Sequence, residues 1–321
     1  MNPQDTIICF GMTLFNKCKY LPESVDSILA QNHSNFGLIA IDNASTDNTE
    51  NIMNNYMDKD SRIHYSKNPS NIGLIQNWRK AFTTALNLYP KMQYFAWASD
   101  HDIWHKDWLS KHLDALNSNL NAALAYPITE PIDEDGDTLS VKLPSYQNAH
   151  MSKYDRMVSV STQMKGVGNM IYGLFRTQSI LKAGVHPYCI MPDRSMLLEI
   201  ALNGSFIQIE EPLWSRRYFN TNESKENLST EYEVFLDRQR STYFNGKAPI
   251  HSYFPTAWHA IRLTLRTLFN PKCNLQNSIL GFITGLLLLK RRRRELQKEL
   301  TSFVKIIISK IKIYKSLTNK N

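Results

Sequence analysis

The segment Ser99-Asp100-His101-Asp102 sets two carboxylates on alternate positions, directly behind the apolar run Tyr94-Phe95-Ala96-Trp97-Ala98. Carboxylates held this close repel each other and raise a pKa unless a cation lies between them. Hard oxygen donors of this kind suit Mg²⁺ or Mn²⁺. The same residues also fit a solvated turn, and Asp-x-Asp alone does not choose between the two. A second acidic cluster, Glu130, Asp133, Glu134, Asp135 and Asp137, surrounds Gly136. A calcium loop would need a bidentate Glu at its twelfth position; counted from Asp133 that position is Pro144, so the cluster reads as a solvated turn. The cysteines, Cys9, Cys18, Cys189 and Cys273, include no Cys-x-x-Cys pair. Neither a zinc site nor a disulfide framework is indicated, and a reducing cytosol is expected. The first residues lack the basic and apolar regions of a signal peptide.

What must position Asp100 and Asp102 is a strand end, and the surrounding pattern supplies one. Apolar runs at Thr6–Phe10, Leu38–Ile41, Ile63 with Tyr65, Tyr94–Ala98 and Ala122–Tyr126 predict five strands. Between them come helical spacings: Leu21, Val25 and Ile28 behind Pro22; Ser45-Thr46-Asp47 as caps for a helix to about Met57; Ile75, Trp78, Phe82 and Ala85; Leu109, Leu113 and Leu116. Strand–helix alternation predicts an α/β fold with a mostly parallel sheet and right-handed crossovers. In such sheets ligands gather at the carboxyl ends of the strands. Beyond Gly166 a second region is expected, with an apolar run to Phe175, a helix to about Ala183, a helix opened by Pro192 and ended by Gly204, and a strand at Phe206–Ile209. Phe219–Thr230 is polar and reads as a mobile loop.

The net charge of +8 is a property of one end. Residues 285–321 hold eleven Lys and Arg against two Glu, while the preceding residues hold 26 basic and 27 acidic side chains. This argues against a nucleic-acid-binding globular domain and for a localised device. Residues 278–289 are nearly all apolar, but twelve helical residues span only about 18 Å, short of a bilayer core. Lys290-Arg291-Arg292-Arg293-Arg294 follows. Leu296, Leu300, Phe303, Ile307, Ile311 and Tyr314 then share a stripe. Residues 278–321 are expected to meet an anionic membrane surface, with packing back on the domain or a nucleic-acid tail as the alternatives.

Several blocks in order resemble family 2 inverting glycosyltransferases of the GT-A fold. They are Met12-Thr13-Leu14-Phe15-Asn16-Lys17, Ser27-Ile28-Leu29-Ala30-Gln31, Ile41-Asp42-Asn43-Ala44-Ser45-Thr46-Asp47, Asn68 with Asn71-Ile72-Gly73 and Asn77, and Asp100-His101-Asp102 with Asp107. These cover roughly residues 5–127. Pro192-Asp193-Arg194, Glu199, Ala201-Leu202, Gly204, Pro212-Leu213 and Arg216-Arg217 look more loosely like the family's acceptor half. The resemblance implies a donor-binding half (1–127), an acceptor half (128–218), a connecting region (219–277) and a membrane-associating tail (278–321).

The resemblance also implies roles. Thr13, Phe15 and Asn16 would cradle the base and ribose of a nucleotide-sugar, with core packing as the other reading of Phe15. Asp42 would accept a uracil or thymine imide N–H, or cap the next helix. Asn71 and Gly73 would let the backbone approach the donor. Asp100 and Asp102 would hold Mn²⁺ or Mg²⁺ on the diphosphate. The family's metal-contacting carboxylate aligns with either His101 or Asp102, so His101 is a second candidate there or a phosphate contact. Asp193 would be the base that deprotonates the acceptor, with Glu199 second; the helix dipole alone also favours an acid at Asp193. Arg216 and Arg217 would grip the diphosphate or form a surface pair. The reaction implied is transfer from a UDP- or dTDP-type donor to a glycan or lipid-linked acceptor, in polysaccharide biosynthesis of the cell envelope, on the cytoplasmic face of the membrane. The rivals are a nucleotidyltransferase, whose Gly- and Arg-rich loop Gly11–Asn16 does not resemble, a membrane-surface adaptor and an inactive sugar-binding relative.

Overall fold

The computed structural model describes residues 7–141, 143–219, 232–245, 248–269 and 275–304. The chain divides into two compact units, residues 1–188 with 192–224, and residues 189–191 with 225–321. In the first unit the order is β1 (Ile8–Leu14), α1 (Leu21–Leu29), β2 (Gly37–Asp42), α2 (Thr49–Met57), β3 (Ile63–Lys67), α3 (Leu74–Leu88), β4 (Tyr94–Ser99), β5 (Ile103–Trp104), α4 (Trp108–Ser118) and β6 (Ala122–Ile132). It continues with α5 (Lys153–Thr162), α6 (Val167–Met170), β7 (Leu174–Arg176), α7 (Thr177–Ala183), α8 (Pro192–Ile200) and β8 (Ser205–Arg217).

Every residue of β2 and β4 is buried, as expected of parallel strands covered on both faces by helices. One sheet runs β3-β2-β1-β4-β7-β6-β8-β5. β1 is parallel to both β2 and β4, whereas β7 is antiparallel to its neighbours β4 and β6. The chain thus steps from β1 outward to β3, then returns to lay β4 on the other side of β1. That reversal opens a crevice at the carboxyl ends of β1 and β4, where Thr13 pairs level with Ser99. On one face of the sheet Phe10 meets Phe36 and Trp108 at 5.5 and 5.4 Å; on the other Trp97 packs on Phe95 and Phe175.

The strand–helix alternation predicted to Tyr126 is present, with shifted ends. β1 runs to Leu14 rather than stopping at Phe10, because Met12 and Leu14 are buried between two parallel partners. β6 continues to Ile132 and β8 extends the Phe206–Ile209 run to Arg217; register shifts around Ile128 let the two strands stay paired. The acidic cluster is a turn: Asp133 Oδ1 accepts the N–H groups of Asp135 and Asp137, at 3.0 and 2.9 Å.

The second unit contains α9 (Tyr232–Phe244), a 3-10 turn (Ile250–Tyr253), α10 (Pro255–Leu268), α11 (Leu275–Arg291) and helical residues 293–304. The start of α10 is capped from a distance: the N–H of Thr256 donates to buried Glu299 Oε1 at 3.0 Å. Phe303 packs edge-on against Phe254 at 4.5 Å. The described half of the stripe expected at a membrane therefore turns Phe303 inward, onto its own unit. Ile307, Ile311 and Tyr314 lie outside the described residues, as do residues 220–230 of the expected mobile loop.

Candidate active site

The crevice between β1 and β4 is closed at its base by one hydrogen bond. The N–H of Phe15 donates to Asp100 Oδ2 at 2.8 Å, tying the two strand ends together. Phe15 keeps 44% of its surface exposed, so its ring is not core. Asn16 adopts φ 52°, a left-handed conformation that Asn tolerates better than most residues. Its side chain accepts from the N–H of Thr46 at 2.8 Å, while its own N–H donates to Ser45 Oγ at 3.1 Å. The β1 and β2 loops are thereby locked to each other.

Asp42 is completely buried at the end of β2. Its Oδ1 accepts the N–H of Ser45 at 2.8 Å and its Oδ2 accepts the Tyr65 hydroxyl at 2.9 Å. Burial, reinforced by Asp42, raises the Tyr65 phenol pKa. Asp47 spans two loops, accepting from Thr49 and from the Cys18 N–H. Burial alone would raise its carboxyl, but these hydrogen bonds hold it down at about 2. Asn43, Asn68, Asn71 and Asn77 form a closed network. Asn43 donates to Asn71, and Asn68 donates to Asn43 and Asn77. Asn43 and Asn71 in turn accept from the backbone of Ile72 and Gly73, each within 2.9 Å. Gly73 sits at φ 81°, the conformation that lets α3 begin directly after this loop.

At the end of β4, Asp100 Oδ1 lies 2.6 Å from His101 Nδ1. His101 Nε2 is 3.9 Å from Asp102 Oδ1, so the imidazole sits between the two carboxylates. Burial would lower its pKa, but the Asp100 hydrogen bond and both carboxylate charges outweigh that, and the net shift is upward. Asp102 is anchored inward: Ser99 Oγ donates to Oδ2, and the backbone N–H of Arg217 donates to Oδ1 at 2.8 Å. The Arg217 guanidinium is buried, bonding the carbonyls of His101, Asp133 and Glu134 at 3.0 Å and Glu23 Oε2 at 2.6 Å. It braces the site rather than reaching into it. The Lys17 ammonium lies 3.5 Å above the Phe219 ring, which in turn meets His101 edge-on at 5.2 Å.

Asp193 belongs to the same neighbourhood. Burial raises the Tyr172 phenol pKa, with the charges of Asp102, Asp193 and Asp100 adding to the shift and Arg216 opposing it; Tyr172 meets Trp78 at 5.9 Å, and Trp78 meets His186 at 4.5 Å. Asp193 retains about a fifth of its side-chain surface (21%), yet protein surrounds it closely. Desolvation pushes its carboxyl up to about 6, against the opposing pull of a backbone hydrogen bond, Arg216 and Arg194. Arg216 itself donates to Asn169 Oδ1 at 2.8 Å. His186 Nδ1 stands 3.8 Å from Asp193 Oδ1. This His is completely buried against Trp78 and Trp97, which pushes its pKa down to about 3 and keeps it neutral. Glu199 lies on the buried side of α8.

The family model for glycosyl transferase family 2 matches residues 9–173, half of the chain. The chain belongs to that family. Among its relatives is the putative teichuronic acid biosynthesis glycosyltransferase TuaG of Bacillus subtilis, 33% identical over 102 residues, or 32% of this chain and 38% of TuaG. An uncharacterized glycosyltransferase of Methanocaldococcus jannaschii is 31% identical over 138 residues, covering 42% of this chain and 46% of the relative. This family 2 chain thus spans less than half the length of these curated relatives. Among solved structures, S. aureus TarS 1-349 in complex with UDP-GlcNAc aligns with a TM-score of 0.57 at 14% identity, over 92% of this chain and 87% of the other. The mannosyltransferase PcManGT of Pyrobaculum calidifontis, in complex with GDP-Man and Mn²⁺, aligns with a TM-score of 0.52 at 12% identity, over 98% and 83%. The GT-A fold expected from the resemblance is the one observed.

The donor set of this family 2 site fits a divalent cation in part. Asp100 and His101 offer an oxygen and an imidazole, but Asp100 is 6% exposed, its Oδ2 accepts the Phe15 N–H and its Oδ1 contacts His101, so a cation would use the remaining lone pairs of Asp100, with diphosphate and water completing the shell as Mg²⁺ and Mn²⁺ prefer. Asp102, expected beside Asp100 at the metal, has both oxygens engaged by protein donors and is only 1% exposed. Among the described residues no three acidic, His or Cys side chains already surround one point. Sequence reasoning missed Tyr65, Asn43, Tyr172 and His186. Only Asn43, inside a recognised block, carried a local signal; the others are joined to the site by packing.

Proposed function

We propose that this chain is an inverting glycosyltransferase that moves a sugar from a UDP- or dTDP-type donor to a glycan or lipid-linked acceptor. The observation that carries the reading is Asp193, a carboxyl raised to about 6 by desolvation and standing 3.8 Å from the buried His186, on a chain whose β1 and β4 ends meet at the Phe15–Asp100 hydrogen bond. The base stacks on the exposed face of Phe15, beside Asn71 and Gly73. Asp42 accepts a hydrogen bond from the imide N–H of the base in place of the one it now accepts from the Tyr65 hydroxyl. Arg216, with Lys17, contacts the diphosphate. Asp193 takes the acceptor hydroxyl proton as that oxygen attacks the anomeric carbon; the bond from that carbon to the diphosphate oxygen breaks, and configuration inverts. A carboxyl near 6 is ionised at neutral pH yet basic enough to share the proton. A divalent cation, when bound by Asp100 and His101, supplies charge neutralisation on the departing diphosphate.

A cavity of about 290 Å³, lined among others by Tyr126, Thr129, Ser145, Asn169 and Gln208, reaches the partner of Arg216 and is the candidate acceptor side. The putative role of TuaG in teichuronic acid biosynthesis supports an envelope polymer as acceptor, and the UDP-GlcNAc bound to TarS supports a uridine donor. Lys290–Arg294 supports work at an anionic membrane face. The test is calorimetric binding of UDP, dTDP, GDP and ADP, each with Mn²⁺ and with EDTA. Metal-dependent binding of UDP or dTDP that Asp100→Ala abolishes and Asp193→Asn retains supports the proposal; a folded protein that binds no nucleotide refutes it.

A further inference from the structure

Helices α10 and α11 carry their large apolar side chains outward and their small ones inward. On α11, Leu275, Ile279, Phe282 and Leu286 recur at helical spacing and are each more than half exposed. On α10, Ile261, Leu265 and Leu268 form a second exposed stripe, extended by Phe269. The seam between the helices is built from Ala260, Thr264 and Thr267 against Ser278, Gly281 and Gly285. A Cβ on Gly281 would lie 2.2 Å from Thr267 Oγ1, an approach only glycine permits, and one on Gly285 would crowd Thr264 Oγ1 at 3.0 Å. Ser278 Oγ donates across the seam to Thr267 O at 2.8 Å, and the Thr264 and Thr267 hydroxyls return to carbonyls of their own helix. Leu263, Leu280 and Leu288 are buried as well.

A helix pair bathed in water puts its large apolar residues in the seam and polar ones outside. Small residues at the seam, with a serine hydrogen bond across it and Leu, Ile and Phe facing out, are how helices pack where the surroundings are themselves apolar. Eight exposed large apolar side chains also exceed what a soluble monomer ordinarily leaves uncovered in one place. The α11 stripe continues at the same spacing into Lys290 and Arg293, both exposed, with Arg291 and Arg294 beside them. No helix among the described residues is long and apolar enough to cross a membrane. The apolar part of α11 spans about 18 Å, close to one leaflet of a core about 30 Å thick.

We infer that α10 and α11 form a monotopic anchor that dips into one leaflet of a bilayer with anionic headgroups. Their outer faces lie among acyl chains, and Lys290–Arg294 lies at phosphate level. This deepens the membrane reading above by naming the surface and its depth, and it does not depend on the chemistry at Asp193. The experiment is flotation of the full chain with phosphatidylcholine vesicles, with and without phosphatidylglycerol. Wild type floats with the anionic vesicles and stays bound at high salt. Phe282→Glu with Leu286→Glu lowers binding on the order of a hundredfold, the ratio expected from withdrawing two apolar side chains from lipid. Leu120→Glu, at an 81% exposed position of the first unit, changes nothing. The inference is overturned if the double variant floats like wild type, if wild type fails to float, or if high salt strips it completely. A wild-type dimer that the double variant dissociates, without flotation, makes this face a contact between copies instead. UDP binding and flotation measured together on the wild type separate the two proposals: a wild type that binds UDP but does not float spares the enzyme and sinks the anchor, one that floats but binds no nucleotide does the reverse, and a double variant that loses flotation while still binding UDP supports both.

Discussion

Replacing Asp193 with Asn makes the protein more stable while stopping the reaction, if its carboxyl is raised for the reason given. The shift from 3.8 to about 6 is roughly two pH units, at about 1.36 kcal/mol each, or about 3 kcal/mol at most. The neutral form is the one the fold favours. Between about pH 4 and 6 the native state holds more protons than the unfolded chain, so stability falls as pH rises across that window and stays lower above it. Asn occupies the same volume without the charge. The stability gap between Asp193→Asn and wild type therefore opens from near zero at about pH 4 to as much as about 3 kcal/mol at pH 7. Urea unfolding of both proteins across this range reads the gap. In the wild type, kcat/KM with a UDP-sugar falls about tenfold per unit below pH 6, and the variant loses about 10²–10⁴ in kcat with nucleotide binding intact. A variant no more stable than wild type at pH 7, or one that still turns over, refutes the assignment of Asp193 as a desolvated base.

Three further outcomes follow from the same geometry. Tyr65→Phe removes a donor from the buried Asp42 carboxylate and lowers stability by about 1.5–3 kcal/mol in urea unfolding. Arg217→Lys cannot bond the carbonyls of His101, Asp133 and Glu134 together, so hydrogen exchange speeds up at residues 133–137 and nucleotide binding weakens. UDP with Mn²⁺, at about a hundred times its dissociation constant, stabilises the wild type by about 2.7 kcal/mol; EDTA or Asp100→Ala removes the gain in a thermal-shift assay.

β2 and β4 were readable because they are buried on both faces and appear as nearly unbroken apolar runs, whereas β1 was readable only to Phe10 because Gly11 and Thr13 interrupt its run. Lys153–Thr162 was not, since KYDRMVSVST buries Met157 and Val160 among Ser and Thr and shows no clear period. Phe15 illustrates a choice that sequence leaves open: an aromatic after a strand fits core or ligand shelf, and its exposure excludes the core. Asp102 and Arg217 were both singled out, but as a metal ligand and an anion grip. Their joint use as a brace depends on a backbone hydrogen bond across 115 positions, which no local pattern encodes. Likewise nothing near Asp193 announces His186, whose place is set by Trp78 and Trp97.

That long-range bond also fixes when the site comes into being. The family-matched segment ends at residue 173, before Asp193 and before Arg217, whose N–H completes the shell around Asp102. During synthesis the first strands and helices have local partners and can form early, whereas closing the loop from Asp102 to Arg217 is a late, entropically slow event. A chain halted near residue 173 holds Asp42, Asn71 and Asp100 but neither Asp193 nor Arg217. On the proposed reading such a fragment lacks its base, so competence to transfer a sugar arrives only with the last strand of the sheet.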